Sequence, residues 1–145
     1  YAESLTDYNR SLHVCPDDPM TLNNRGATYA KMGKRKKALD DYNLSLQLCE
    51  HPHTLHNRGV TYMRLQKYEE ALSDFNRALE IKANDADTMY FLSTLFSLWR
   101  KTDEALIYLE KAFELNKKYQ EMAKKDKDFD NIRDDPHFKK LIGED

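Results

Sequence analysis

Apolar residues recur along the chain with the spacing of amphipathic α-helices, and the whole pattern then repeats. The stretch LNNRGATY at 22–29 returns as LHNRGVTY at 55–62, 33 residues later. The stretch KALDDYN at 37–43 returns as EALSDFN at 70–76, and a weaker copy, EALIYL, begins at Glu104. Similarity at this period is typical of arrays of helix pairs. The pattern predicts an all-α protein with helix in roughly three-quarters of its residues, against a base rate near one-third.

Each repeat divides into a first and a second helix. The first helices are predicted at residues 19–32, 52–65 and 86–98. The second helices are predicted at residues 35–49, 68–82 and 102–115, after a lone second helix at 1–13. Asp18 and Thr102 suit N-caps, because their side chains can accept bonds from free backbone N–H groups. Pro19 and Pro52 suit first helical turns, and Gly33 suits a left-handed stop.

Small residues occupy the positions where the two helices of a pair should cross. They are Gly26, Gly59 and Ser93 on the first helices and Ala38, Ala71 and Ala105 on the second. Large residues follow at fixed offsets and should fill the space beside and between the pairs: Tyr29, Tyr62, Phe96, Tyr42, Phe75 and Leu109. Since no pair can bury its apolar face alone, stacking of the pairs has to form the core.

Composition narrows the class of protein. Apolar residues make up 40% and charged residues 33% of the 145 residues, with only four glycines and four prolines. This is too apolar for a disordered chain and too poor in turn residues for a many-stranded fold. The formal charge of −2 argues against a nucleic acid partner, and no apolar run approaches the length of a membrane span. Cys15 and Cys49 are too few for a disulfide framework, so we expect reduced thiols in a cytoplasmic protein.

The repeat motifs resemble the tetratricopeptide repeat (TPR) family over about residues 1–117. The middle repeat matches most of the family pattern, with Gly59, Tyr62, Ala71, Phe75 and Ala78. Arg25 and Arg58 depart from it where Leu is usual, and Ser93 replaces a Gly. The resemblance implies a right-handed α/α superhelical solenoid of helix-turn-helix repeats. The predicted organisation is a second helix of a truncated repeat (1–16), three TPR repeats (17–50, 51–84 and 85–117), and a capping helix with a closing segment (118–145).

The last part of the chain, from Tyr119, resembles a closing segment that follows many TPR arrays. A solenoid end exposes an apolar face that has to be covered. The residues expected to cover it are Phe129, Ile132, Phe138 and Leu141, with Asp135 capping a short helix that begins at Pro136. Because this segment would close the array, we expect the chain to end near the natural C-terminus. Because the chain does not begin with Met, we expect it to be a fragment whose missing sequence is N-terminal.

The resemblance implies that the first helices line a concave groove that holds a peptide or a partner helix. Helical spacing predicts that the inward residues are Asn23, Asn24, Ala27, Lys31, His53, His56, Asn57, Val60, Arg64, Tyr90, Phe91 and Thr94. Asp87 and Leu98 are expected on the same face. Asn24 and Asn57 hold the same place in consecutive repeats, and an amide can both donate to and accept from a peptide backbone. They resemble the asparagine ladder of some TPR arrays.

Chaperone-binding TPR domains clamp a C-terminal carboxylate with two Lys, two Asn and one Lys or Arg. Asn57 alone matches those places in this sequence, and the others hold Asn23, Ala27, Asp87 and Phe91. Because Asp87 would repel a carboxylate, the partner is not expected to be of the chaperone type.

Two other clusters have competing interpretations. His53 and His56 share a helix face and could bind a metal with Asp87, but structural zinc sites usually have four ligands that include thiolates. We therefore interpret them as surface or groove histidines and predict no metal and no cofactor. A basic edge could meet an acidic protein, RNA or lipid headgroups. Its residues are Lys31, Lys34, Arg35, Lys36, Lys37, Arg64, Lys67, Arg100 and Lys101. Acidic residues lie within one turn of most of these, which favours a solvated edge.

The sequence contains no nucleophile motif and no glycine-rich phosphate loop, so it predicts no catalytic residue and no enzyme. The favoured hypothesis is a non-enzymatic scaffold for protein–protein interaction that binds a peptide or partner segment in the concave groove. The alternatives are a regulatory or sensing C-terminal module of a larger enzyme or signalling protein, and a basic-edge RNA or membrane-surface binder. Residues 1–13 lack a covering helix and are expected to fray or to form a dimer contact.

Overall fold

The structure is a computed structural model that describes residues 1–144. About 79% of the chain is helical, and the described residues contain no strand, which confirms the predicted all-α class. The helices are α1 Ala2–Val14, α2 Pro19–Lys31, α3 Arg35–Leu48, α4 Pro52–Arg64, α5 Tyr68–Ile81, α6 Ala86–Leu98, α7 Thr102–Leu115, α8 Lys118–Lys125, a 3₁₀ helix Lys127–Ile132, and α9 Pro136–Leu141. The seven helices predicted from the repeats all begin and end within one residue of these bounds.

The chain divides into two compact units. The first, Tyr1–Ile81, contains α1 to α5, and the second, from Lys82 onward, contains α6 to α9 and the 3₁₀ helix. Within each unit the paired helices, α2 with α3, α4 with α5, and α6 with α7, make the most extensive contacts. None of the helices described in residues 1–144 is long and apolar enough to cross a membrane.

The helix ends follow the sequence signals with one exception. Asp18 caps α2 by accepting a bond from the Thr21 N–H at 3.1 Å, and Gly33 ends the turn after α2 with φ of +76°. Thr102 does not cap α7, because it is already the first helical residue and Lys101 occupies the N-cap position without a side-chain bond. The turns that correspond to Gly33 use Gln66 and Arg100, with φ of 59° and 62°.

The glycines of the first helices are required by aromatic rings on the second helices. A Cβ on Gly26 would lie 2.7 Å from Cε1 of Tyr42, and a Cβ on Gly59 would lie 2.9 Å from Cε1 of Phe75. Both rings are almost completely buried, and burial raises the pKa of Tyr42 to about 12. The rings therefore have no room to move away from a larger side chain on the first helix.

The third pair tolerates a serine at this position because the hydroxyl has a partner. Ser93 is fully buried, and its Oγ donates to the Ala105 carbonyl across the α6–α7 crossing at 2.7 Å. The alanines on the facing helices, including Ala71, are also fully buried. Small residues at the crossing thus allow each pair to pack closely, as the sequence predicted.

Two arginine–aspartate forks connect the helices of the first two pairs. Arg25 donates from Nε and Nη2 to the Asp41 carboxylate at 2.8 and 2.7 Å. Arg58 makes the same two bonds to Asp74, at 2.8 and 2.7 Å. Both aspartates are buried, so the bidentate geometry offsets the cost of removing their charge from water.

The remaining nitrogen of each guanidinium reaches the preceding second helix. Arg25 Nη1 donates to Asn9 Oδ1 on α1, and Arg58 Nη1 donates to Asn43 Oδ1 on α3, both at 2.9 Å. Each arginine therefore joins three helices. The third pair has Leu92 and Tyr108 at the positions of the fork, and Leu92 is fully buried.

The closing segment is built largely as predicted. Phe129, Ile132 and Phe138 are buried. Asp135 caps α9, because its side chain accepts bonds from the N–H groups of His137 and Phe138 at 2.8 and 3.2 Å. The prediction for Leu141 was wrong by one position: Leu141 is half-buried, and Ile142 is the fully buried residue.

The substitution Ala71→Leu tests the close crossing of α4 and α5. Because Ala71 is fully buried, the larger side chain should lower the free energy of unfolding by about 1–3 kcal/mol. Ser4→Leu is the matched control, since Ser4 holds the same repeat position on α1, a helix with no fully buried residue. Urea unfolding followed by circular dichroism should separate the two variants. Equal losses would contradict a tight crossing at Ala71.

The substitution Arg58→Leu tests the fork. It leaves the buried Asp74 carboxylate without a cation and should lower the free energy of unfolding by roughly 2–4 kcal/mol. The double variant Arg58→Leu/Asp74→Tyr installs the residues that the third pair has at these positions, so at least half of the loss should be regained. Thermal and urea unfolding measure both variants. A double variant no more stable than the single one would show that the fork is not the source of the effect.

Candidate functional site

The inner faces of α2 and α4 carry a chain of three asparagines. The Asn57 side-chain nitrogen donates to Asn23 Oδ1 at 3.0 Å, which connects the two helices. The Asn23 side-chain nitrogen points to Asn24 Oδ1 at 3.5 Å, which is a long and weak contact. Asn24 and Asn57 thus remain on the same surface, as the repeat pattern predicted, but a third amide lies between them.

The three amides differ in exposure. Asn23 is only 2% exposed, so the prediction that it lines an open groove was wrong. Its carbonyl oxygen is buried between the helices and uses Asn57 as its donor. Asn24 is exposed, and its side-chain nitrogen donates to no acceptor within residues 1–144. Asn57 is half-buried and has one of its hydrogen-bonding groups committed inside the protein.

The histidines near the start of α4 have separate roles. His51 is the N-cap residue, and its Nδ1 accepts from the His53 N–H at 3.2 Å. The His56 ring packs on Phe75 with 5.7 Å between the ring centres, while His53 is exposed. In the part of the chain that the structure describes, no group of three or more His, Cys, Asp or Glu side chains could hold a metal ion.

An open cleft of about 270 Å³ lies at the other end of this surface, and we call it the cationic cleft. Its lining residues are Ala30, Lys31, Arg35, Val60, Thr61 and Arg64. The three cations are exposed, and no carboxylate lines the cleft. Arg35 was not among the predicted groove residues, because it begins the second helix α3 and was assigned to the basic edge. Arg35 is the first residue of α3 and follows the end of α2 closely, which could have indicated that its side chain lies beside Lys31.

The basic edge beside the cleft has mixed charge. A second open cavity of about 630 Å³ there is lined by Gly33, Lys34, Arg35, Lys36, Lys37, Asp40 and Leu65. The Lys37 ammonium lies 5.6 Å from the centre of the Tyr29 ring. Asp40 lies among the lysines, so a polyanion along this edge would also meet a carboxylate.

The inner face of α6 is not open. Tyr90 is 2% exposed and Thr94 is fully buried, so the prediction that they line a groove was wrong. The Tyr90 hydroxyl donates to Asp126 Oδ2 at 2.7 Å, and its ring packs on Tyr119 and Phe129, with centre distances of 4.9 and 5.6 Å. Burial, together with the bond to Asp126, raises the pKa of Tyr90.

Further bonds hold the closing segment over this face. The Tyr119 hydroxyl donates to Asp87 Oδ1 at 3.0 Å, and the Ser97 hydroxyl donates to the Asp128 carbonyl at 2.7 Å. The Asn131 side chain donates in return to the Ser97 carbonyl at 3.1 Å. Phe91 remains half-buried and Asp87 exposed at the margin. The chain's own closing segment therefore occupies the α6 surface that the sequence assigned to a partner.

Comparison with known proteins gives the same type of repeat. Residues 51–118 match a family model described as Tetratricopeptide repeat, and residues 19–52 match a second model with the same description. Tetratricopeptide repeat protein 36 of Caenorhabditis elegans is 41% identical over 46 residues, which are 32% of this chain and 26% of that protein. The match thus spans about a quarter of that relative's length.

Solved structures resemble the chain over most of its length. The crystal structure of MamA has a TM-score of 0.77 at 16% identity and covers 95% of this chain and 80% of its own. A tetratricopeptide repeat protein from Parabacteroides merdae has a TM-score of 0.76 at 27% identity, over 85% of this chain and 48% of its own. YrrB, described as a TPR protein with an unusual peptide-binding site, has a TM-score of 0.74 at 21% identity, over 92% and 69%. The likeness to MamA and YrrB is one of fold.

The asparagine chain predicts different effects for two similar substitutions. Asn57→Ala leaves Asn23 Oδ1 buried without its donor and should lower the free energy of unfolding by about 0.5–2 kcal/mol, after a small gain in helix propensity. Asn24→Ala removes only the weak contact at 3.5 Å, so stability should hold or rise by a few tenths of a kcal/mol. Urea unfolding of both variants measures the difference. An equal loss in both would contradict the contact between Asn57 and Asn23.

Proposed function

We propose that this chain, which belongs to the tetratricopeptide repeat family, binds an extended segment of another protein on the inner faces of α2 and α4. Proteins built from these repeats are generally non-catalytic scaffolds for protein–protein interaction. We accordingly propose a binding function without catalysis for the residues of this chain.

The proposed surface, called the α2–α4 surface, combines exposed amides with small side chains. Its members are Asn24, Ala27, Lys31, His53, His56, Asn57, Val60 and Arg64. Ala27 and Val60 are short and half-buried, so a peptide backbone can approach the helices closely between the amides. The single observation that carries the proposal is the exposed Asn24 amide, which has no acceptor within residues 1–144 and lies beside the bonded pair Asn23 and Asn57.

An amide of this kind suits recognition of a backbone rather than of one particular side chain. The Asn24 nitrogen can donate to a peptide carbonyl, and its oxygen can accept from a peptide N–H. The hydrogen bond from Asn57 to Asn23 already holds the Asn57 side chain in place. Less side-chain freedom of Asn57 is therefore lost when a peptide binds beside it. The peptide-binding site in the description of YrrB, a neighbour in fold, supports this kind of ligand.

The α6 face is excluded from the proposed surface because the closing segment covers it. A chaperone-type carboxylate clamp is also not proposed. At one position of the clamp this chain has Ala27, whose side chain has no hydrogen-bond donor. At another it has Asp87, a carboxylate that already accepts a hydrogen bond from the Tyr119 hydroxyl.

A test begins with selection of random twelve-residue peptides on the immobilised chain. The affinities of the selected peptides are then measured by calorimetry for the parent, Asn24→Ala and Asn76→Ala. Asn76 is the matched control, because it is an exposed asparagine on the second helix α5. Loss of one or two bonds of about 0.5–1.5 kcal/mol should weaken binding to Asn24→Ala several-fold, while Asn76→Ala should bind like the parent.

Two results would overturn the proposal. One is unchanged affinity for Asn24→Ala among all of the selected peptides. The other is hydrogen exchange in which bound peptide protects α1 or α5 rather than α2 and α4. Because Asn24→Ala is expected to leave stability intact, loss of folding cannot imitate the expected result.

A further inference from the structure

Among the described residues, some cations of the first unit are held in ion pairs, and others are not. Three arginines are held in ion pairs: Arg25 with Asp41, Arg58 with Asp74, and Arg77 with Glu50 and Glu80. Lys31 and Arg35 form no ion pair within residues 1–144, although both are exposed beside the cationic cleft. At the cleft Lys31 and Arg35 lie beside Arg64, and the lining residues include no carboxylate.

The positive charge is local to this surface. Helices α2 and α4 contain no Asp or Glu at all, whereas the whole chain has a formal charge of −2. The acidic residues of this unit lie on the second helices and in the turns, as Asp40 does beside the neighbouring cavity. A cleft lined by one sign of charge concentrates ligands of the opposite sign.

We propose that the segment bound on the α2–α4 surface is acidic, and that an Asp or Glu carboxylate of it occupies the cationic cleft between Lys31, Arg35 and Arg64. This inference rests on the proposed function and names the class of its partner. The Arg35 guanidinium can grip a carboxylate through paired N–H donors, and the positive charges of Lys31 and Arg64 add to the attraction.

The spacing between the exposed amide and the cleft sets the register of the ligand. Asn24 and Lys31 are seven residues apart on α2, as are Asn57 and Arg64 on α4, which is about 10 Å along a helix. An extended peptide covers that distance in about three residues. The acidic side chain is therefore expected about three residues from the backbone group that Asn24 holds.

A peptide fits this cleft better than a nucleic acid strand. The neutral lining residues are Ala30, Val60 and Thr61, and none offers a ring on which a base could stack. The basic edge beside the cleft could follow a phosphate backbone for some distance, but a nucleic acid strand there would meet the Asp40 carboxylate. Single-stranded RNA is therefore the competing ligand in the test.

The experiment compares selections from one random twelve-residue peptide library on two proteins, the parent and the double variant Arg35→Gln/Arg64→Gln. Peptides selected on the parent should be enriched in Asp and Glu about three residues from a common core, and the enrichment should disappear on the double variant. For the tightest acidic peptide, replacement of its acids by Asn or Gln should weaken binding to the parent at least fivefold. The same replacement should change affinity for the double variant less than twofold.

Lys36→Gln is the matched control, because it removes one positive charge from the basic edge outside the cleft lining. The acidic peptide should bind this variant within twofold of the parent and should bind Arg35→Gln several-fold more weakly. Equal losses for Lys36→Gln and Arg35→Gln would overturn the cleft as the site. Tighter binding of a twelve-residue oligouridine, lost with Arg35→Gln, would overturn the peptide as the ligand. Circular dichroism of each variant shows whether it is folded.

The outcomes separate this inference from the proposed function. In one outcome the selected peptides show no enrichment in Asp and Glu and bind in a way that depends on Asn24 but not on Arg35 or Arg64. That result would contradict an acidic ligand and would leave the proposed α2–α4 surface in place. Acidic peptides that depend on Arg35 but not on Asn24 support the cleft and overturn recognition of the backbone by Asn24.

Discussion

The arginine–aspartate forks fix how the first helices α2 and α4 are rotated against α3 and α5, the second helices of their pairs. Successive residues on an α-helix point about 100° apart. Once Arg58 faces Asp74, the preceding Asn57 must point toward the inner surface and the following Gly59 toward the Phe75 ring. The close crossing and the exposed amides are thus two results of one constraint. The third guanidinium nitrogen extends the same constraint to the preceding second helix.

The third pair solves the packing problem without a fork. Leu92 is buried where the other pairs have arginine, and Ser93 replaces glycine by donating to the Ala105 carbonyl. The helix that carries these changes, α6, has an apolar inner face, with Tyr90 under the closing segment. The repeats are therefore of two kinds. The two forked pairs present polar inner surfaces, and the unforked pair presents a surface that needs a cover.

The sequence predicted most of the fold because its signals are local and repeated. Small residues at the crossings, prolines at first turns and Asp18 as a cap all act within a few residues, so the helix bounds could be read directly. The candidate site was harder to predict. Arg25 and Arg58 were recognised only as departures from a pattern, although each has an aspartate sixteen residues later. The burial of Tyr90 could not be predicted, because it depends on a contact with Asp126, 36 residues away, that has no counterpart in the other repeats.

The closing segment also bears on how an array of this kind can lengthen over evolutionary time. In a repeat protein each repeat contacts only its neighbours, so the first helix of an added pair has to pack on the second helix before it. In this chain α8 and α9 contact α7, and the 3₁₀ helix contacts α6. A pair inserted after α7 would have to displace both contacts and would leave the Tyr90 ring uncovered. Duplication among the forked pairs meets no such obstacle, because each fork carries its own aspartate and needs only an asparagine on the helix before it. An added pair would therefore disturb fewer existing contacts among the forked pairs than after α7.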